Sequence, residues 1–426
     1  MLRGLVGVSM LWLLSAAQAS VVEAIAAHRH MGVASCASSV CHGASQRFEG
    51  SRIWQNEFAI WQERDPHSGA YRTLLNDESR AIARKLGIGQ AHEAKICLDC
   101  HADNVPESMR GERFQISDGV GCEACHGGSE RWLSSHAERN VPHADNLALG
   151  MYPTADPVRR AELCLSCHMG SRDRMITHRI MGAGHPRLAF ELDTFTWMNP
   201  HYEIDDDYVA RKGEVNGIRD WGVGQGVAAA NLLDILLDER HGSDGIFPEL
   251  VLFDCHACHR TMSGRRWTPR PGTGLAPGVV RLNDSNLVMF RHVLAAIDDG
   301  ARQRLLEQTR ALHAATTRDR ATTQAAARTL RATLSELLPR VAQFPFGSDT
   351  LGRVLDSIVA DGDRGEYADF AGAEQAAMAV SSLLAAFESL AAVDEAQVQR
   401  LQARLDTLYT TLDNEDSYSM QRFMAA

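Results

Sequence analysis

Basic residues, long apolar runs and unpaired cysteines are all scarce in this sequence. Lysine and arginine total 43 against 54 aspartates and glutamates, and the net charge of -11 argues against a nucleic-acid partner. Beyond the N-terminus, we expect no segment long and apolar enough to span a bilayer. The alternation of apolar and polar residues typical of a half-buried strand is also rare, so the sequence predicts a mainly α fold.

No cysteine stands alone, because all ten form five pairs in which histidine directly follows the second cysteine. Two thiols at this separation can add to the two vinyl groups of one haem, while the histidine offers a nitrogen to the iron. The sequence therefore predicts five covalently bound c-type haems with five proximal histidines. The sites, in chain order, are Cys36/Cys41/His42 with C-x4-C-H spacing, and Cys97/Cys100/His101, Cys122/Cys125/His126, Cys164/Cys167/His168 and Cys255/Cys258/His259 with C-x-x-C-H spacing.

Other uses of cysteine pairs are alternatives to haem attachment. A C-x-x-C pair also serves zinc and thioredoxin-like redox sites, but neither explains a histidine after every second cysteine. For the stretched pair, a disulfide between Cys36 and Cys41 is the alternative, since a secreted chain permits one. His42 directly after Cys41 favours haem there too.

The first residues are typical of a secretory signal peptide. Arg3 precedes an apolar run from Leu5 to Leu14, and a small-x-small pattern predicts cleavage after Ala19. An uncleaved anchor is the alternative, but the run is short for a membrane span. We therefore expect a periplasmic or exported protein.

Composition divides the remaining chain in two. Residues 20–281 hold every haem motif and are predicted to form a pentahaem domain of short helices and loops wrapped around haems, including a helix over Gly226 to Glu239. A linker rich in proline, glycine and arginine covers Trp267 to Pro277. Residues 282–426 carry leucine and valine at helical spacing, which predicts a C-terminal helical bundle.

The histidines outside the motifs decide how each iron is coordinated. A low-spin haem that carries electrons needs a second axial ligand, whereas a catalytic haem leaves that position open. Eighteen histidines minus five proximal ones leave thirteen. Our candidate distal ligands are His67, His136, His178, His185 and His292; His28, His30 and His256 are weaker candidates; His92, His143, His201, His241 and His313 are predicted to be ordinary surface or core residues.

Several segments resemble the cytochrome c-554 and c-prime family of multihaem cytochromes. The stretch from Gly119 to Gly128, which contains Gly-Val-Gly-Cys-Glu-Ala-Cys-His, resembles the third haem site of that family, and His136 follows it. Trp54, Trp61 and His67 resemble residues after the family's first haem. The segment from Arg160 to His168 is similar to its fourth site, and the resemblance covers roughly Cys36 to Met169.

The resemblance implies a helical periplasmic electron carrier with closely packed, mostly bis-histidine haems. It implies that His67 and His136 are distal ligands. In the best-known member, which accepts electrons from hydroxylamine oxidoreductase, the second haem is five-coordinate, and this points to an open site at His101. The stretched first motif, the fifth haem and the C-terminal helices depart from the family pattern.

Three functions follow from these features. The leading hypothesis is an electron carrier between redox proteins, with a partner that has a basic docking face to complement this acidic chain. The second is an enzyme that acts on a small nitrogen or sulfur compound at a five-coordinate haem. Arg110, Arg113 and His92 are then candidates for handling anions or protons near the haem of His101. The third is an oligomer, either a haem filament in which His28 or His30 ligates a neighbouring subunit or a dimer formed by the bundle.

Overall fold

The computed structural model describes residues 20–48, 53–138, 140–198, 200–240, 242, 245–259, 270–276 and 278–426. The predicted signal peptide, His241 and residues 267–269 and 277 of the predicted linker lie outside these ranges. Within them the chain is mainly α-helical and has no β-strand, as expected from the sequence. Two isolated bridges, His30 with Arg110 and Phe253 with Leu282, are the only β-type pairings in the described part.

The part of the chain that holds the haem motifs consists of short helices joined by loops. α8 begins where the sequence predicts, because the Asp156 carboxylate accepts the backbone N–H groups of Val158 and Arg159 and Pro157 occupies the first turn. The helices are α1 (Val21–Ile25), α2 (Glu57–Arg64), α3 (Ala70–Thr73), α4 (Asp77–Leu86), α5 (Lys95–His101), α6 (Cys122–His126), α7 (His143–Ala148), α8 (Pro157–His168), α9 (His178–Ala183), α10 (Leu192–Met198), α11 (Asp206–Lys212), α12 (Gly217–Leu237) and α13 (Cys255–Cys258).

Longer helices make up the C-terminal third. α14 is buried on nearly every side and packs against α12, α15, α17 and α18. The side chains of Met289, Phe290 and Val293 on this helix are completely buried. The helices are α14 (Ser285–Ile297), α15 (Asp299–Thr316), α16 (Arg320–Ala342), α17 (Ser348–Asp363), α18 (Phe370–Ser389), α19 (Glu395–Thr410) and α20 (Met420–Ala425).

α12 joins the two parts of the chain through one apolar core. It starts nine residues before the helix expected from the sequence, because the side chain of Asn216 accepts the backbone N–H of Arg219 and caps it. Glycines in its first half allow close packing: a Cβ at Gly226 would lie 2.6 Å from the Leu338 side chain. α12 contacts α8 on one side and α14, α16 and α18 on others, so the core crosses the predicted boundary at residue 281.

α18 is longer and more apolar than we expected of any segment after the N-terminus. Among the described helices it is the one long and apolar enough to cross a membrane, although we expected no such segment after the N-terminus. Of its most apolar window, 56% is buried within the protein. Ala373, Ala377 and Leu383 belong to the main core, so packing against α12, α14 and α17 accounts for much of its apolar composition.

Candidate haem centres

Helical geometry places both thiols of each C-x-x-C-H motif on one face. Residues three apart in a helix point the same way, and the histidine four residues after the first cysteine shares that face. α5 carries site 2 (Cys97/Cys100/His101), α6 carries site 3 (Cys122/Cys125/His126), and the end of α8 carries site 4 (Cys164/Cys167/His168). At site 5 (Cys255/Cys258/His259), both cysteines lie on α13 and His259 directly follows it.

The stretched motif, site 1 (Cys36/Cys41/His42), forms a turn instead of a helix. The backbone N–H of Cys41 donates to the carbonyl of Ser38 at 2.8 Å, and that of His42 donates to the carbonyl of Cys36 at 3.2 Å. The turn absorbs the two extra residues and returns His42 towards the first cysteine. All ten cysteines are free, so the alternative disulfide between Cys36 and Cys41 is not formed.

Each of the five motif histidines faces a second histidine from another part of the chain. The separations of the ring centroids are similar in all five pairs, while the angles between the ring planes differ widely. The pairs are His42 with His136 at 6.2 Å and 7°, His101 with His185 at 6.4 Å and 81°, His126 with His201 at 6.4 Å and 82°, His168 with His67 at 5.8 Å and 79°, and His259 with His178 at 5.9 Å and 32°.

These separations fit one metal ion between each pair of rings. A metal–nitrogen bond of about 2 Å on each side, plus about 1 Å from each nitrogen to its ring centre, puts the centroids about 6 Å apart. Aromatic contacts span about 4.5 to 7 Å, so the evidence for a metal is the repetition of the pairing at all five cysteine motifs rather than the distance alone. The donor set of paired thiols and opposed imidazoles therefore fits a c-type haem with two histidine ligands.

Hydrogen bonds at Nδ1 orient five of these ten rings. Because Nδ1 is engaged, Nε2 is left as the nitrogen that can bind iron. Two acceptors are carboxylates and three are backbone carbonyls. The bonds join His42 to Glu57 Oε2 at 2.9 Å, His67 to Asp65 Oδ1 at 2.9 Å, His101 to the Ala70 carbonyl at 3.2 Å, His136 to the Trp132 carbonyl at 3.1 Å and His185 to the Pro186 carbonyl at 2.7 Å.

The two carboxylates remain ionised at neutral pH. Burial alone would raise the pKa of Glu57, but the hydrogen bond from His42 and backbone N–H groups lower it, so the pKa lies below its usual value. The same balance, with His67 as the partner, holds the pKa of Asp65 below its usual value. Both histidines thus donate to an anion.

The residues from Gly119 to Glu123 contact segments that belong to sites 1, 3 and 4. The buried Glu123 carboxylate accepts the backbone N–H groups of Met31, Gly32 and Ser129 at 2.7 to 2.8 Å, which fixes the segment leading to Cys36. The carbonyl of Val120 accepts the Trp61 indole N–H at 3.0 Å.

Gly119 completes this arrangement beside the distal histidine of site 4. Its φ is 76°, and a Cβ there would lie 2.7 Å from the His67 carbonyl, so glycine is required. The next residue, Val120, donates its backbone N–H to that same carbonyl at 3.1 Å. Residues that carry the family resemblance therefore contact three of the candidate haem sites.

Residues 35–127 match the model of the cytochrome c554 and c-prime family. The resemblance inferred from the sequence is confirmed over this segment, which contains sites 1, 2 and 3. This segment is therefore similar to a family of c-type cytochromes, which carry electrons through covalently bound haem. Site 4, site 5 and the C-terminal helices lie beyond the match. No curated protein and no solved structure shows significant similarity to the chain.

The structure pairs four of the five candidate distal histidines with the cytochrome motifs. His67, His136, His178 and His185 each lie opposite one proximal histidine. The fifth partner is His201, which we had expected to be an ordinary surface or core residue. A proline precedes His201, as one precedes His67, but Pro142 also precedes His143, so this signal alone does not identify a ligand.

His292 does not lie opposite any proximal histidine of the cytochrome. It is completely buried on α14, where its Nδ1 is 2.9 Å from Ser357 Oγ and its Nε2 is 3.2 Å from the Tyr367 hydroxyl, which itself donates to the Ile358 carbonyl. Burial lowers the pKa of His292 to about 3. Both nitrogens are therefore occupied within the C-terminal helices, and this placement argues against our expectation that His292 is a ligand.

The weaker candidates also have other surroundings. His30 is completely buried, with Nδ1 on Asp103 at 2.6 Å and Nε2 on the Ile25 carbonyl at 3.1 Å. The ring of His256 lies 5.9 Å from that of Phe370. His28 packs against Gly150, since a Cβ atom on that glycine would lie 2.2 Å from the His28 ring. None of the three rings has the geometry shared by the five pairs.

A cavity of about 110 Å³ adjoins site 5, outside the matched segment. Its walls come from α9, α12, α13 and α18, so it lies between site 5 and the C-terminal helices. Most of its lining is apolar, as is usual for ligand pockets. Lining residues include Cys255, His256, Met175, Met181, Leu232 and Phe370.

Contacts between motifs show which cytochrome sites are neighbours. The thiols of Cys36 and Cys122 lie within hydrogen-bond reach of each other, which places site 1 beside site 3. The thiols of Cys100 and Cys167 are equally close, which places site 2 beside site 4. Cys125 lies close enough to Cys164 for direct electrostatic interaction, so sites 3 and 4 adjoin.

The α9 segment connects the last two sites. His178 at its first position faces His259 of site 5, and His185, two residues after its end, faces His101 of site 2. The spatial order is therefore site 1, site 3, site 4, site 2 and site 5.

Proposed function

We propose that this chain is an exported pentahaem cytochrome that carries electrons along a row of five bis-histidine haems. The observation that carries the proposal is the second histidine opposite each of the five motif histidines, at 5.8 to 6.4 Å between ring centroids. An iron with two histidine ligands has no open position for a substrate, so its chemistry is the gain and loss of one electron. The haem supplies that redox chemistry, and the protein holds and tunes it.

Site 2 distinguishes a carrier from an enzyme. The family resemblance implied an open haem there, but the ring of His185 lies 6.4 Å from that of His101. The Pro186 carbonyl holds Nδ1 of His185, which favours Nε2 as the ligand atom. This geometry supports electron transfer over reduction or oxidation of a small nitrogen or sulfur compound.

The row of sites gives electrons a path through the molecule. Motifs that adjoin in space bring their haems close enough for electrons to hop from one to the next. The row runs from site 1, through sites 3, 4 and 2, to site 5 beside the C-terminal helices. We propose that redox proteins exchange electrons with this row, and that a partner with a basic docking face suits the net charge of -11.

The oligomeric alternatives have less support. His30, which motivated the filament hypothesis, makes two internal hydrogen bonds and is completely buried. A ligand for a neighbouring subunit would have to leave both partners. We therefore propose that the five ligand pairs are all supplied within one chain.

Haem content and spin state test the proposal. We expect the purified mature protein to contain five haems per chain by pyridine haemochrome assay and intact mass. The oxidised protein should show low-spin ferric signals in electron paramagnetic resonance (EPR) spectra, with no change on adding cyanide. A high-spin ferric signal that cyanide removes would overturn the carrier assignment, and fewer than five haems would overturn the pentahaem assignment.

A further inference from the structure

α2 carries a carboxylate at each end, and each carboxylate accepts a hydrogen bond from a ring that faces a different haem site. Glu57 is the first residue of the helix and its Oε2 accepts the Nδ1–H of His42 at 2.9 Å. Asp65 directly follows the helix and its Oδ1 accepts the Nδ1–H of His67 at 2.9 Å. A helix of eight residues spans about 12 Å, so one rigid element serves sites 1 and 4 together.

Further hydrogen bonds hold both carboxylates in place. Oε1 of Glu57 accepts the backbone N–H of Gln55 at 3.2 Å, and Oδ1 of Asp65 also accepts the backbone N–H of His67 at 3.0 Å. The two side chains are only 15% and 19% exposed. Solvent therefore screens their charges weakly, and the contacts act on the rings as fixed anions.

Site 2 has neutral acceptors at the corresponding positions. Nδ1 of His101 bonds to the Ala70 carbonyl, and Nδ1 of His185 bonds to the Pro186 carbonyl. Other charges also differ between sites 2 and 4: Arg174 donates to the Cys167 thiol of site 4 at 3.0 Å, and Asp99 lies inside the site 2 motif. At the histidine rings themselves, the contrast between the two sites is the carboxylate on His67.

A carboxylate acceptor makes an imidazole a stronger donor to its metal. Stronger donation stabilises ferric over ferrous iron and lowers the reduction potential. We propose that Glu57 and Asp65 hold the haems of sites 1 and 4 at lower potentials than the haem of site 2, and so direct electrons along the row towards site 2. This inference rests on the proposed function, in which each histidine pair ligates one iron.

Neutral, nearly isosteric substitutions test the role of each carboxylate. Glu57→Gln and Asp65→Asn keep an acceptor oxygen but remove the charge. The assay is a potentiometric titration of the holoprotein, followed by EPR. The ring planes are nearly parallel at site 1 (7°) and nearly perpendicular at sites 2, 3 and 4 (81°, 82° and 79°), so the site 1 signal stands apart from the other three. The site 4 signal is identified as the one of those three whose midpoint shifts in Asp65→Asn.

We expect Glu57→Gln to raise the midpoint potential of the site 1 signal alone and Asp65→Asn to raise that of the site 4 signal alone. Glu63→Gln, which neutralises an exposed carboxylate on α2, is the matched control and should move neither. Glu57→Asp keeps the charge and should return the site 1 potential towards the wild-type value.

The outcomes separate this inference from the proposed function. Variants that keep five low-spin haems with unchanged midpoints would overturn the tuning role while leaving the carrier intact. A shift caused equally by Glu63→Gln would also overturn it, since any charge on the helix would then suffice. A high-spin haem in the wild-type protein would count against the proposed function instead.

Discussion

His185 lies opposite His101, with their ring centroids 6.4 Å apart and their planes at 81°. We predict that His185→Ala opens one face of the haem at site 2. The other four pairs do not involve this residue, so they should remain low-spin. The expected result is one new high-spin ferric signal that disappears with cyanide, measured by EPR on the oxidised holoprotein.

His92→Ala is the control for that variant. His92 lies in the same region, 6.3 Å from the Tyr71 ring, but faces no proximal histidine. It should leave every haem low-spin. If His185→Ala also left the spectrum unchanged, another residue would have to ligate site 2, and the pairing drawn from the ring geometry would be wrong.

The second prediction concerns site 5, which lies outside the matched family segment. Cys255→Ala together with Cys258→Ala should remove one haem, so that the purified protein contains four instead of five by haemochrome assay. α18 contributes Phe370 to the wall of the adjoining cavity, and we therefore also expect a lower melting temperature of the C-terminal helices. A double variant that still carried five haems would contradict the assignment of this site.

Arg270 provides a third prediction, because it joins the chain after site 5 to the C-terminal helices. Its guanidinium is 1% exposed and contacts the carboxylates of Asp284, Glu366 and Asp369. Arg270→Met would leave these anions buried without their shared cation. We expect it to destabilise the protein by about 3 to 5 kcal/mol, measured by urea unfolding followed by far-UV circular dichroism.

An exposed ion pair provides the comparison for Arg270. Arg302 and Asp299 lie 2.9 Å apart on the surface of α15, with side chains 38% and 79% exposed. Arg302→Met should cost about 0 to 1 kcal/mol in the same assay. Equal costs for the two variants would show that the buried cluster contributes no more than a surface pair.

How much the sequence could predict depended on how local each signal was. Motif spacing identified the five cysteine pairs, since a helix or tight turn brings their atoms together without help from the rest of the fold. Distal histidines come from distant segments, so their pairing is a tertiary property. His67 and His185 could be proposed from their neighbours, whereas His201 could not be distinguished from His143, which also follows a proline.

His292 illustrates the opposite error. A histidine on an apolar helix can be a haem ligand that joins two domains, or it can be a polar residue buried in a core. Hydrogen bonds with Ser357 and Tyr367, which are far away in the sequence, favour the second. The start of α12 was predicted nine residues too late for a related reason. Glycine has a low helix propensity, and only the folded chain shows how closely Val293 approaches Gly222 and Leu192 approaches Gly224.

The burial of His292 leads to a pH-dependent prediction. Its pKa is about 3 in the folded protein, against an ordinary value of 6.5. Between these values the unfolded chain binds the proton and the folded one does not, so His292 favours folding fully above pH 6.5 and loses that contribution as the pH falls towards 3. The charges of Asp361, Arg291, Arg364 and Arg302 act on the ring and are included in this balance.

His292→Gln removes the titrating group while keeping a polar side chain. We expect the variant to be less stable than the wild type at pH 7.5, and the gap between their free energies of unfolding to narrow steadily from pH 6.5 to pH 4. Urea unfolding at a series of pH values, followed by circular dichroism, measures the gap. A gap that stayed constant with pH would mean that His292 titrates alike in both states, and its ring would then have to be accessible to water in the folded protein.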